Sequence, residues 1–143
     1  MLAYATLFLR WNAKINLSAA RSIELLDQHI ADCVFVAGQM PTSGTLLDVG
    51  AGGGLPSVVI AICRPTLSVV ALEPVHKKTA FLRTAARELG LGNFEAHAER
   101  MNDHARRDYD AAIARWLGAR ELAAPCGEIL IVPNAAYLIV RPR

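Results

Sequence analysis

The stretch that most limits what this chain can become is Thr45-Leu46-Leu47-Asp48-Val49-Gly50-Ala51-Gly52-Gly53-Gly54-Leu55-Pro56-Ser57. Leu46, Leu47 and Val49 form a short apolar run that reads as a buried strand. The glycines that follow let the backbone turn sharply and come close to a ligand. Pro56 suits the first turn of a helix, where a missing N–H costs nothing. Strand, glycine turn and helix together predict the crevice beyond the carboxyl end of a strand in an open α/β sheet, a place that takes nucleotide-like ligands.

The glycine spacing narrows the ligand. A dinucleotide fingerprint needs Gly-x-Gly-x-x-Gly, but the sixth position from Gly50 is Leu55. The pattern present is Asp48-x-Gly50-x-Gly52-x-Gly54, which resembles the first motif of Rossmann-like S-adenosylmethionine methyltransferases. Glu73 closes the next apolar run, 23 residues after Gly50. An acid at about that distance (~20 residues) typically takes ribose hydroxyls. A nicotinamide dehydrogenase is therefore the weakest contender.

At 143 residues the chain is expected to form one domain, helical over 1–43 and Rossmann-like over 44–143, shorter than most enzymes of this class. Hydrophobic residues make up 53% of it, which suits a folded protein. No apolar run reaches membrane-spanning length, and the apolar start, Met1–Leu9, reads as a helix and not a signal peptide. Cys33, Cys63 and Cys126 form neither a disulfide framework nor a zinc pattern, and His29, His76, His97 and His104 show no metal-binding spacing. Free thiols in a reducing cytoplasm are the expectation. Residues 1–50 carry three basic and four acidic side chains, against twelve and nine over residues 51–143. The net charge of +2 permits an anionic partner without requiring one.

Periodicity predicts helices over 3–17, with Leu7, Trp11 and Ile15 on one face, and over 23–37, with Ile23, Leu26, Ile30, Val34 and Ala37 on one face, capped by Ser18 or Ser22. After the glycine turn the reading is helix 58–63, strand 68–72, helix 77–89 ending at Gly90, strand 93–97, and a strand within 109–114. A short helix over 117–124, a strand over 129–132, a turn at 133–136 and a final strand to residue 141 complete it. This order predicts a mainly parallel sheet with helices on both faces.

Several motifs stand in one order: Trp11-Asn12-x-x-x-Asn16-Leu17, His29-x-x-Asp32, Asp48 to Pro56, Lys77-Lys78-x-x-Phe81-Leu82-Arg83, Arg100, and Asp110-x-x-x-x-Arg115. The series resembles the bacterial 16S rRNA guanine-N7 methyltransferase family, also called glucose-inhibited division protein B, over about residues 4–120. The resemblance implies S-adenosylmethionine as cofactor and small-subunit rRNA or a ribosomal particle as partner, in the cytoplasm, without metal or membrane. It implies that Asp48, Gly50, Gly52, Gly54, Leu55 and Glu73 hold the cofactor, with Met101 and Asn102 flanking the adenine. Arg115 is implied at both cofactor and substrate, Lys77 and Arg100 meet RNA, and these three are the expected catalytic residues, with Arg100 and Arg115 placing the base. Asp110 is expected to fix a loop, and Trp11 and Asn16 to pack and turn.

Guanine N7 carries a free lone pair, so methylation there needs alignment and not a base. Arginines can grip guanine O6 and phosphates. The chain departs from the family pattern at Ser57, where glycine is usual, and at Pro133-Asn134, where Lys-Gly is usual. About twenty N-terminal helical residues and one helix and strand after the fifth strand are expected to be missing relative to the family. A methyltransferase for another RNA or a small molecule, and a non-catalytic cofactor- or RNA-binding relative, remain alternatives.

Overall fold

The structure, a computed structural model, describes residues 1–115, the backbone of 128–132, and residues 135–141. Helices α1 (Leu2–Ile15) and α2 (Ile23–Gly38) come first. Strand β1 (Gly44–Val49), helix α3 (Ser57–Cys63), β2 (Leu67–Leu72), α4 (His76–Glu88) and β3 (Phe94–His97) follow. A 3-10 turn at Met101–Asp103 precedes β4 (Ala111–Arg115), β5 (Glu128–Val132) and β6 (Ala135–Val140).

The six strands form one sheet in the order β3-β2-β1-β4-β6-β5. Strands β1 to β4 pair in parallel, and β6 runs antiparallel between β4 and β5. From β1 the chain steps outward to β2 and β3, then returns across the sheet to place β4 on the other side of β1. The strand order therefore reverses beside β1, which is where ligands bind in open α/β sheets.

Alternation along each strand sorts side chains to two faces. Leu46, Val69, Ala71, Ala111 and Ile113 join a core built with Tyr4 and Phe8 of α1, Leu26 and Cys33 of α2, Val58–Ala61 of α3, and Phe81 and Ala85 of α4. Leu47, Val49, Val70, Leu72 and Ala114 form the core of the opposite face, against which Met101 and Tyr109 pack. All four described helices thus cover one face. The helix predicted over 117–124, Cys126 and the turn residues 133–134 lie outside the described residues.

Local chemistry explains the helix ends. The Ser22 hydroxyl caps α2 by accepting from the Leu25 amide, so Ser22 and not Ser18 is the cap. Gly90, at φ +65°, ends α4, and the Leu91 amide returns to the Ala86 carbonyl. Asn12 is buried and pins the chain between α1 and α2: its amide donates to the Ala20 carbonyl at 2.8 Å and its Oδ1 accepts from the Ser18 amide. Asn16 turns the chain in the left-handed region (φ 56°), and Trp11 packs on Phe81, as packing and turn residues should.

Two local expectations shift. Ile23 and Val34 of α2 are 37% and 45% exposed, and Cys33 and Val36 take the core instead, because the stripe's centre runs through Leu26, Ile30 and Cys33. Pro56 stands at the N-cap and not within the first turn, and helix α3 begins at Ser57, one residue before the expected 58.

Candidate cofactor cleft and cationic rim

The glycine turn is held by β2, not by its own residues alone. The amides of Gly50 and Ala51 both donate to the Leu72 carbonyl, at 2.9 and 3.0 Å. Glu73, the next residue, accepts from the Gly52 amide through Oε1 (3.1 Å) and from the Val75 amide through Oε2 (2.7 Å). One carboxylate thereby joins the turn after β1 to the start of α4. Each oxygen keeps a second lone pair for a ligand hydroxyl.

From the other side, the N-terminal helix closes on the turn. The Tyr4 hydroxyl donates to the Gly53 carbonyl at 2.6 Å, with Tyr4 fully buried. A Cβ on Gly53 would stand 2.5 Å from Phe8, and one on Gly54 2.3 Å from Val58. Gly54 also needs φ +84°, a region that disfavours side chains. By contrast, a Cβ on Gly50 or Gly52 would meet nothing within 4 Å. The turn thus packs its Gly53 and Gly54 end against the protein and leaves the space beside Gly50 and Gly52 open.

That open side borders a cleft of about 220 Å³ lined by Val49, Gly50, Leu72, Glu73, Pro74, Val75, Glu99, Arg100 and Met101. Larger hollows of about 440–470 Å³ lie elsewhere, for example between α1 and α4 around Arg10, Trp11 and Arg87. Position and chemistry, not size, single out the cleft: it sits at the carboxyl ends of β1 and β2 and carries two carboxylates. The Arg100 guanidinium stands beside them, and Glu73 lies where an acid takes ribose hydroxyls.

Asp48 lies under the turn with 1% exposure. Neither its Oδ2 nor the Ser57 Oγ has a hydrogen-bond partner among the described residues. Burial pushes the Asp48 carboxyl up to about 7. The Glu73 charge adds to this, while the nearby Ser57 and the Arg115 charge pull the other way.

Arg115 ends β4, directly opposite Tyr137 of β6. Its charge is felt by Asp48, Cys33, Tyr137 and His29, so it lies on the α2 side of the sheet and not in the cleft wall. The Cys33 Sγ and the Tyr137 hydroxyl are 3.6 Å apart, and burial raises the thiol to about 12. His29 is held below its usual value first by burial and then by Arg115, with Asp32 opposing. His29 of α2 thus lies within electrostatic reach of Asp32 and of the arginine of β4, and Asp48 within reach of that arginine.

The named residues fall into groups. Gly50, Glu73, Arg100 and Met101 line the cleft. Asp48 of β1 and Gly52, Gly54 and Leu55 of the turn do not line it, and Asn102 is exposed on the 3-10 turn. Lys77 is exposed on the first turn of α4. Asp110 is far from this site: it ties β4 to the start of β1, accepting from the Thr45 amide at 2.8 Å. Tyr4, Cys33, Tyr137 and the side chains around His104 were not legible as site residues. Only the buried placement of their polar groups reveals them. Among the described residues no cluster of side chains could hold a metal, and no helix is long and apolar enough to cross a membrane.

Comparison with known proteins places this geometry. A solved methyltransferase from Geobacter sulfurreducens shares the fold, with a TM-score of 0.65 over 98% of this chain and 90% of that one at 16% identity. The ribosomal RNA small subunit methyltransferase G of Methylobacillus flagellatus is 41% identical over 143 residues, 99% of this chain and 69% of that protein. The enzyme of the same name from Halorhodospira halophila is 36% identical over 139 residues, 96% of this chain and 66% of that protein. The chain spans between 45% and 69% of the length of such curated relatives. The family profile described as rRNA small subunit methyltransferase G (GidB) matches residues 1–142, and the chain belongs to that family.

Proposed function

We propose that residues 1–143 act as one methyltransferase domain that binds S-adenosylmethionine and methylates N7 of a guanine in small-subunit rRNA, in the cytoplasm. The observation that carries this reading is the cleft itself. It has a glycine turn with open space beside Gly50 and Gly52, and a wall that includes Glu73 and Glu99. Glu73 there suits a ribose-bearing ligand, and the glycine spacing departs from the dinucleotide fingerprint at Leu55. Family membership supports the same cofactor and an RNA substrate.

When bound, the cofactor supplies an electrophilic methyl group on a sulfonium. Gly50, Gly52, Gly54 and Leu55 give it backbone at close approach, with Asp48 beneath them. Glu73 offers its remaining lone pairs to the ribose, while Met101 and Asn102 border the adenine. Because N7 attacks with its own lone pair, these residues need only hold the partners in line, and such alignment can lower a barrier by about 7–11 kcal/mol. Arg115 places the base from the α2 side, within electrostatic reach of His29. Arg100 and Lys77 extend from the cleft rim and meet RNA phosphates.

The test is transfer of a radiolabelled methyl group to small-subunit particles and to naked rRNA, with products digested to nucleosides. The reading predicts label recovered as N7-methylguanine. Label on a small-molecule acceptor, or cofactor binding with no transfer to any ribosomal substrate, would contradict it.

A further inference from the structure

The connection from β3 to β4 has an unusual task. β3 lies beyond β2 at one side of the sheet and β4 lies beyond β1, so residues 98–110 cross two strands. Parallel strands are usually joined through a helix, which satisfies its own backbone. Here the described secondary structure of the crossover is one 3-10 turn, Met101–Asp103.

Side chains close it instead, around one imidazole. His104 is 8% exposed. Its Nδ1 lies 2.5 Å from Glu99 Oε1 and its Nε2 lies 2.7 Å from the Tyr109 hydroxyl. A neutral imidazole donates from one nitrogen only. The Glu99 carboxylate, an acceptor, pairs with Nδ1–H, and in that neutral tautomer Nε2 accepts from the Tyr109 hydroxyl. The Tyr109 and His104 rings stack at 5.8 Å, and the Arg106 guanidinium lies 4.5 Å from the Tyr109 ring centre. Arg107 donates to the His104 carbonyl and, at 3.2 Å, to the Met101 carbonyl. The amide of His104 also reaches the Met101 carbonyl at 3.2 Å.

The first residues of this knot, Glu99, Arg100 and Met101, are cleft wall. We propose that His104 is a positioning residue for the cofactor cleft: bridging Glu99 and Tyr109, it fixes the wall on which the adenosine part of S-adenosylmethionine rests. This rests on the cofactor reading above. The contact that matters is the one to Glu99, because that side chain both borders the cleft and bonds the imidazole. Tyr109 anchors the far nitrogen to the second core, against which it packs.

Two substitutions separate the links. In His104→Asn the side-chain amide nitrogen stands near the position of Nδ1 and can still donate to Glu99. In His104→Gln the amide reaches toward Tyr109 but not Glu99. Calorimetric titration of the full chain with S-adenosylhomocysteine, beside thermal melts, reads both. His104→Ala and His104→Gln are expected to weaken binding about tenfold, the scale of a hydrogen bond to a charged group. His104→Asn is expected to recover binding to within about threefold of the wild type on the same scale. Should His104→Ala fail to fold, the Asn and Gln variants decide alone. Asn binding as weakly as Gln, or all variants binding like wild type while their melting temperatures fall, would overturn the proposal. Wild-type protein that binds no cofactor would overturn the cofactor reading, and this proposal with it.

Discussion

The glycine turn and the cationic rim lie at the same end of one sheet, yet they are held in opposite ways. In the turn, Gly50 and Ala51 are tied to Leu72, Gly52 to Glu73, and Gly53 to Tyr4. Little can move there without breaking a buried hydrogen bond. On the rim, Lys77 and Arg100 are exposed and Arg115 is only half-buried. Lys77 stands in water, where a long cation holds no fixed geometry until a partner supplies one. One half of the site is thus built by folding, and the other is completed by what binds to it.

Predictions that would break this contrast start with the turn. Gly54→Ala puts a methyl group 2.3 Å from Val58 in a backbone region that excludes it. It should cost about 2–4 kcal/mol by urea denaturation and weaken the cofactor with it. If Gly54→Ala melts like wild type, the turn is looser than its contacts imply. On the rim, Arg115→Ala should lower methyl transfer by about a hundredfold or more, the scale of a lost positioning group. Cofactor binding by the variant should stay close to wild type, and unchanged turnover would remove Arg115 from the site.

Asp48 sharpens the comparison through pH. Its folded value of about 7 lies above the ordinary 3.8, so between these values the native state keeps a proton that the unfolded chain has lost. Stability from this group is full below about pH 4, falls as pH rises toward 7 and then levels. The wild type should lose roughly 2–3 kcal/mol between pH 5 and 8 from this group. Asp48→Asn should flatten that slope in denaturation curves, and an equal slope in both proteins would mean that the carboxyl is not held protonated. The smallest expected effect is that of Tyr4→Phe, which leaves the Gly53 carbonyl without its donor and should cost about 1–2 kcal/mol. A comparable loss of stability from Lys77→Ala would erase the distinction between the two halves.

What the sequence disclosed follows the same division. Leu46 to Val49 and Val69 to Leu72 alternate between two cores, and the glycines at 50, 52 and 54 all adopt positive φ. These are backbone demands, and residue type reports them directly. Glu73 was legible as an acid after β2, but not as the residue that accepts from Gly52 and Val75, because that depends on two segments meeting in space. Tyr4, Cys33 and His104 look like ordinary core or loop residues until the fold brings Gly53, Tyr137 and Glu99 to them. Arg115 could be singled out only through the family's motif order. Its neighbours His29 and Asp48 come from 86 and 67 positions earlier in the chain.

The central claim is that the cleft beside Gly50 and Glu73 is the S-adenosylmethionine site. Calorimetric titration with S-adenosylmethionine, S-adenosylhomocysteine and NAD tests it most directly. The account predicts micromolar binding of the first two and none of NAD. A folded sample that binds neither methyl cofactor, or that prefers NAD, would contradict it.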